Sequence, residues 1–368
     1  MENKQYFIPD NMADMISVAL QFSLEGTPTL VKPLGEGFIN DTFLVYVDGA
    51  QSPRYILQRK NHIVFPDVPA MMDNIKKVTE HIKKKVEDPM RETLTVIPAK
   101  DGKLYWKDDG GNFWAVCVFI AGSKSYFTAD SPEKAWQGGA GLGRFHSLVN
   151  DFKEPLTEII KGFHNIRWRF TQWDEAVARD AAGRVASLKE EIGWIESRRE
   201  RMLSFWEKYE NGIIPTRVTH NDTKISNFLF DEKDGHLLCA IDLDTLMSST
   251  LLNDTGDALR SYTNTAAEDE PDLSKVGMSM EMFSAYMKGY MSQMGDALTA
   301  VEKENLAFSG LYITFEQVLR FLMDYIDGDT YYKIAYPEHN LVRTRSQYAL
   351  FQSMEAQFEE MNALIASL

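Results

Sequence analysis

One short stretch limits the folds open to this chain. From Val218 it reads Val-Thr-His-Asn-Asp-Thr-Lys-Ile-Ser-Asn-Phe-Leu-Phe230; after a turn over Asp231 to Gly235 comes Leu237-Leu-Cys-Ala-Ile-Asp-Leu-Asp244. Charged and amide side chains are set here between apolar, strand-like runs. A carboxylate in such surroundings is costly to bury unless it is paired or holds a metal. The polar residues fall into two clusters, His220/Asn221/Asp222/Asn227 and Asp242/Asp244. A hairpin-length excursion separates them, which can bring both to one side of a small sheet.

The sequence differs in kind before and after this stretch. Helical apolar spacing over Asp14 to Leu24 ends at Gly26, a residue suited to closing a helix. Short strand-like runs follow at Leu30–Leu34, Asp41–Val47, Arg54–Gln58, Leu94–Pro98, Leu104–Lys107 and Phe113–Ile120, and one long helix over Asp67–Val86 interrupts them. From Ser131 the pattern turns helical: Pro132–Val149, Asn165–Asp180, Val185–Glu210, Met280–Met294, Lys303–Ile326 and Thr344–Ile365. At 368 residues the chain exceeds one ordinary domain. The expectation is an α+β protein of two lobes, a β-rich N-terminal lobe over 1–121 and a mainly helical C-terminal lobe over 122–368. The small residues of Ala121-Gly-Ser-Lys-Ser125 suit a hinge.

Phosphoryl transfer calls for the residue types found in the central stretch. One carboxylate orients or accepts the proton of the attacking hydroxyl, while an amide oxygen and a second carboxylate hold Mg²⁺ against nucleotide phosphates. His-x-Asp-x-x-x-x-Asn, read at His220, Asp222 and Asn227, is the catalytic-loop spacing of protein-kinase-like enzymes. Asp222 is therefore the candidate catalytic base, with Asn227 and Asp242 as candidate metal ligands. Asp244 is a neighbouring acid or substrate contact. His220 is read as structural, bonding backbone and holding Asp222 in place. A lone His-x-Asp carries little weight; the set carries much more. Upstream, Gly35 and Gly37 sit between two strand-like runs, where glycine permits a tight turn and close backbone approach to phosphates. No Gly-x-x-x-x-Gly-Lys-Ser/Thr loop is present.

These segments resemble the aminoglycoside phosphotransferase/choline kinase family, which has a two-lobed protein-kinase-like fold, and within it the N-acetylhexosamine 1-kinases. The resemblance spans most of the chain. It is most specific in Tyr55-Ile-Leu-Gln58, Phe65-Pro-Asp67, Val218 to Asn227, Ile241-Asp-Leu-Asp-Thr245, Ala267-Glu-Asp-Glu270 and Tyr336 to Arg345. It implies an enzyme that uses ATP and Mg²⁺ to phosphorylate the C1 hydroxyl of N-acetylglucosamine or N-acetylgalactosamine. By position it implies that adenine meets the backbone of Val118, Phe119 and Ile120. It also implies that Gly35 and Gly37 cover the phosphates with Gln58 nearby, and that Asp222, Asp244, Arg320 and Tyr331 meet the sugar. Two departures stand out. Gln58 occupies the strand position where protein kinases carry lysine, which leaves the source of phosphate charge compensation open between Arg59 and Lys60; strand alternation turns Arg59 to the opposite face. Phe38 replaces a histidine of the relatives.

Composition narrows the alternatives. Lys plus Arg total 39 against 54 Asp plus Glu, leaving −15 at pH 7, which argues against nucleic-acid and anionic-membrane partners. Cys117 and Cys239 are too few for a disulfide framework, and the histidines form no close pair at zinc-ligand spacing. No apolar leader is seen over Met1 to Asp14, and the longest apolar run, Trp114 to Ala121, falls far short of a membrane span. A cytoplasmic monomer is expected. The bland readings are a Glu316 partner for Arg320, packing for Tyr331, an exposed acidic loop at Glu268–Glu270 and a plain surface acid at Glu80. The competing functions are the same chemistry on choline, homoserine or an aminoglycoside, and a non-catalytic nucleotide- or sugar-binding module.

Overall fold

The computed structural model describes residues 12–35 and 39–368; Gly37 and Phe38 lie outside the described residues. The chain begins with α1 (Met12–Ala19), β1 (Pro28–Pro33), β2 (Asp41–Val47), β3 (Tyr55–Lys60) and α2 (Val68–Lys83). Next come β4 (Val96–Ile97), β5 (Trp106–Lys107), β6 (Phe113–Val118) and β7 (Ser123–Lys124). Helices α3 (Pro132–Val149), α4 (Ile166–Arg179) and α5 (Lys189–Glu210) follow. Four short strands then cluster: β8 (Arg217–Thr219), β9 (Phe228–Asp231), β10 (Leu237–Ala240) and β11 (Met247–Ser249). The remainder is α6 (Leu251–Thr263), α7 (Met280–Met294), α8 (Ala300–Ile326), α9 (His339–Ala356) and α10 (Phe358–Ala366).

Two compact units result. The first is the chain up to Lys124 together with Phe152–Ile160 and Leu229–Leu246. Its main sheet is antiparallel, in the order β1-β2-β3-β6-β4, with β5 also paired to β6. Alternation along β2 buries Phe43, Val45 and Val47, and α1 lays Met15, Val18 and Ala19 into the same cluster beside Leu57, Trp114 and Val116. Helix α2 starts where the Asp67 carboxylate accepts the Ala70 N–H at 3.0 Å, with Pro69 in the first turn, where no backbone donor is needed. Val68, Met71, Ile75, Val78 and Ile82 form its buried stripe, while Lys76, Lys84 and Lys85 are exposed. Asn74, on the buried side, donates to the carbonyls of Thr157 at 2.8 Å and Leu246 at 3.0 Å. These bonds, and the pairing of β9 with β7, tie the two later stretches to the first unit.

The second unit is Ser125–Asp151, Lys161–Phe228 and Met247–Leu368. It is helical apart from the β8–β11 pair. Helix α8 runs through its core against α6 and α9, and starts in a reciprocal capping box between Thr299 and Glu302. Helices α3 and α7 meet backbone to backbone. A methyl at Gly139 would overlap the Tyr286 carbonyl, and one at Gly289 the Trp136 carbonyl. Spacing predicts a single last helix over 344–365. The structure instead begins α9 at His339 and breaks it from α10 at Gln357. It also adds α6, which apolar spacing does not reveal. No helix among the described residues is long and apolar enough to cross a membrane. The two cysteines are unpaired, and burial pushes their pKa values up, Cys117 to about 11 and Cys239 to about 12, so both stay protonated thiols at neutral pH.

Candidate active site

In the second unit, β8 delivers the chain into the loop 220–227. Its Arg217 forms a two-pronged ion pair with the buried Glu302 carboxylate, at 3.0 and 2.9 Å. Past Thr219 the backbone turns through a left-handed residue, Asn221, with φ 64°. This conformation leaves loop N–H groups without sheet partners, and two carboxylates of α6 take them up. Asp254 accepts the N–H groups of His220 and Asn221, both at 2.7 Å, and meets His146 Nε2 at 2.8 Å. One turn on, Asp257 accepts the Thr223 N–H at 3.1 Å and its hydroxyl at 3.2 Å. Burial acts to raise the Asp257 pKa, but the Arg260 guanidinium, then His164 and the Thr223 N–H, outweigh it and hold the carboxyl below its ordinary range. His220 is fully buried, and its Nδ1 accepts the Asp222 N–H at 3.3 Å. The Asp222 carboxylate is part-exposed and pairs with Lys224 at 2.9 Å. Asn227 Nδ2 donates to the Asp222 carbonyl at 2.8 Å, so this bond leaves the acceptor end of the amide, Oδ1, unused.

Arg320 lies on α8 and is 8% exposed. Glu316, one turn earlier, is taken by His164 at 2.8 Å and Arg169 at 3.2 Å, so the i−4 pair does not form. No carboxylate among the described residues lies within ion-pair distance of the Arg320 guanidinium, which sits 5.6 to 5.9 Å from the rings of Tyr332, Phe163 and Tyr331. The loop carrying both tyrosines is tied at its base. The buried Asp324 carboxylate accepts the N–H groups of Thr330, Tyr331 and Tyr332 at 2.9, 2.7 and 3.0 Å, and the Asn340 amide at 2.8 Å. Tyr332 packs on Phe321, and Tyr331 is 70% exposed. The acidic segment beyond α6 is engaged in pairs: Glu268 with Arg260 at 2.7 Å, and Asp269 with His339 at 2.9 Å. Two segments that are far apart in sequence, 267–270 and 336–345, are thereby joined.

In the first unit, Gly35 has the left-handed φ of 62° that a tight turn after β1 requires, with open space around it. Of the expected adenine contacts, the Val118 N–H goes to Thr95 and the Phe119 N–H to Arg54, while the Ile120 carbonyl accepts the Ser123 hydroxyl. Strand β3 runs to Lys60, two residues beyond Gln58 and on the same face. The Lys60 ammonium is buried and reaches Asp244 Oδ1 at 2.7 Å and Oδ2 at 3.0 Å, and Gln58 Oε1 at 2.7 Å. Asp244, expected as a substrate contact, is 3% exposed, and its Oδ2 also accepts from Asn40 at 2.7 Å. Asp242 is part-exposed and left-handed at φ 57°, at the start of a 3-10 turn over Leu243–Thr245. Asn227 Oδ1 and the Asp242 carboxylate are both hard oxygen donors, the chemistry a magnesium ion selects. Glu80 pairs with Lys83 at 2.8 Å on the surface. The Asp231/Asp234/His236 group at the β9–β10 turn is internally satisfied by Arg91 and by the Lys233 and His236 N–H groups.

Comparison with known proteins gives consistent matches. The model of the phosphotransferase enzyme family (APH) matches residues 30–275. Among solved structures, the chain is similar to a microcompartment-associated aminopropanol kinase at 17% identity and TM-score 0.64, covering 96% of this chain and 99% of that one. It is similar to an aminoglycoside phosphotransferase from Alicyclobacillus acidocaldarius at 14% identity and TM-score 0.61, covering 96% of each chain. An amicoumacin kinase in complex with AMP-PNP, Ca²⁺ and Ami matches at 15% identity and TM-score 0.58, covering 93% of each. At these identities the structures establish the fold, kinase-like with an antiparallel N-terminal sheet and a helical C-terminal region, while the family match reaches across the Gly35 turn, the loop 220–227 and Asp242. The chain belongs to the phosphotransferase enzyme family and is a small-molecule phosphotransferase.

Proposed function

We propose that this chain phosphorylates the anomeric C1 hydroxyl of an N-acetylhexosamine, N-acetylglucosamine or N-acetylgalactosamine, using Mg-ATP. One observation carries the choice of acceptor: the buried Arg320 guanidinium has no carboxylate partner and is ringed by aromatic side chains, with Tyr331 exposed beside it. A planar donor array bordered by rings suits the hydroxyl and acetamide oxygens and the apolar face of a sugar. Held by the Tyr331 hydroxyl and the nearby Glu316 charge rather than by an ion pair, the guanidinium suits a ligand that supplies oxygens. The joining of 267–270 to 336–345, the segments most specific to the N-acetylhexosamine 1-kinases, supports the same reading.

In this reading Asp222 accepts a hydrogen bond from the C1 hydroxyl, aligns its oxygen and takes its proton as the oxygen bonds to the γ-phosphorus of ATP and the bond from that phosphorus to the bridging oxygen breaks, releasing ADP. His220, Asp254 and Asp257 keep the loop backbone in the one shape that presents Asp222. Arg320 and Tyr331 hold the sugar, and positioning supplies most of the rate. Gly35, Gly37, Gln58 and the backbone of Val118, Phe119 and Ile120 bind the nucleotide, the last three through groups other than the Val118 and Phe119 N–H, which Thr95 and Arg54 hold. Asn227 Oδ1 and Asp242 would hold Mg²⁺, whose chemistry there is to neutralise phosphate charge.

ADP release with Mg-ATP, measured for N-acetylglucosamine, N-acetylgalactosamine, choline and kanamycin, with ³¹P NMR of the product, tests the proposal. Turnover on the acetylated sugars with an anomeric phosphate signal is expected. Turnover on choline or kanamycin alone would discard the sugar while keeping the chemistry.

A further inference from the structure

Gln58 sits where a lysine would reach nucleotide phosphates, and a glutamine amide can present either its oxygen or its nitrogen. Only the nitrogen end can serve a phosphate. What decides between the two ends is Lys60. Its ammonium is a donor with no acceptor capacity, and it lies 2.7 Å from one end of the Gln58 amide. That end must be Oε1. The Nε2 end is then directed away from Lys60, toward Thr42, the residue opposite Gln58 on β2, where one N–H meets the hydroxyl at 3.3 Å. The second Nε2 hydrogen has no acceptor among the described residues.

Lys60 is itself held. Its ammonium spans both Asp244 oxygens and Gln58 Oε1, so three donors meet three acceptors. Asn40 braces the other side of Asp244 and is in turn fixed by the Asn61 N–H at 3.0 Å. Lysine and aspartate are each only 4% exposed at the side chain. With its donors committed, Lys60 has none left for a phosphate.

We infer that Lys60 is a positioning residue which, anchored on Asp244, locks the Gln58 amide with its N–H₂ group outward as the phosphate donor. The inference rests on the proposed nucleotide role of Gln58. It explains how a strand without the usual lysine still presents a donor: the cation lies one strand repeat further on and acts through an amide.

Calorimetry of Mg-ADP binding tests this. Wild-type protein should bind Mg-ADP, and Gln58→Ala should weaken binding about tenfold or more, as loss of one hydrogen bond to a charged oxygen does. Gln58→Glu should weaken it at least as much while leaving thermal stability unchanged or higher, because the new carboxylate pairs with Lys60 but cannot donate. Lys60→Met leaves Asp244 buried and unpaired, so the decisive background is the double variant Lys60→Met/Asp244→Asn, which removes both charges. Once the amide is unlocked, adding Gln58→Ala to that background should have no further effect on Mg-ADP affinity. A full tenfold effect persisting there would overturn the positioning role and leave the nucleotide role of Gln58 standing. No effect of Gln58→Ala in the wild-type background would overturn both, and absence of Mg-ADP binding by the wild type would overturn the proposed function itself.

Discussion

At Asp222, the part-exposed carboxylate rests on a backbone whose N–H groups are spoken for by His220, Asp254 and Asp257. Removing its charge should therefore spare the loop. Asp222→Asn is expected to lower kcat by about 10²–10⁴-fold, the usual worth of a positioned general base, with Mg-ADP affinity unchanged by calorimetry. Near-normal turnover would remove Asp222 from the chemistry. Arg320 makes the opposite kind of prediction. Arg320 makes no ion pair among the described residues, so Arg320→Leu should leave the melting temperature near the wild-type value while raising KM for the sugar about tenfold or more. A loss of stability with KM unchanged would mark Arg320 as structural. Lys60 shows what strand alternation can reveal. Its place on the Gln58 face is readable from the spacing, but its Asp244 partner, far along the chain, is not.

Element packing is tightest where α3 and α7 cross on glycine. Gly139→Ala should cost about 1–3 kcal/mol in urea denaturation, the range for overpacking, because its methyl meets main chain that cannot rotate away. Denaturation at the wild-type midpoint would show that the helices can separate freely. Strand β2 and helix α2 were legible from spacing because each buries one regular face, and β6 because it is a short apolar run buried at Trp114, Ala115 and Val116. Helix α6 was not, since Asn253, Asp254, Gly256 and Asp257 interrupt its apolar pattern. Those interruptions have physical causes: the two aspartates serve the loop 220–227, and a side chain at Gly256 would strike the Ser309 carbonyl on α8. The active-site motif was readable as residue types at a fixed spacing. His220 was readable as the residue bracing Asp222, whereas Asp254 and Asp257 were not, because they lie on a helix whose pattern their own function disrupts.

Across the whole molecule, one buried carboxylate that binds a loop N–H group, Asp257, makes stability depend on acid. Asp257 has a pKa below the unfolded value of about 3.9. Its contribution is fully present above that pH and is lost as pH falls through the lower folded value. Unfolding free energy should therefore drop on acidification below about pH 4, the ordinary carboxylate range, and drop less steeply in Asp257→Asn. Equal slopes for the two proteins would shift the acid sensitivity to other groups. The location of Arg320 has a separate consequence. It is set in α8, a helix packed along most of its length, rather than on a surface loop. On the proposed sugar-binding role of Arg320, substrate preference is inherited with the interior. A lineage drifting toward a new acceptor would more readily vary the outer tyrosine loop than the arginine, and laboratory selection for a changed substrate should return its first substitutions around Tyr331.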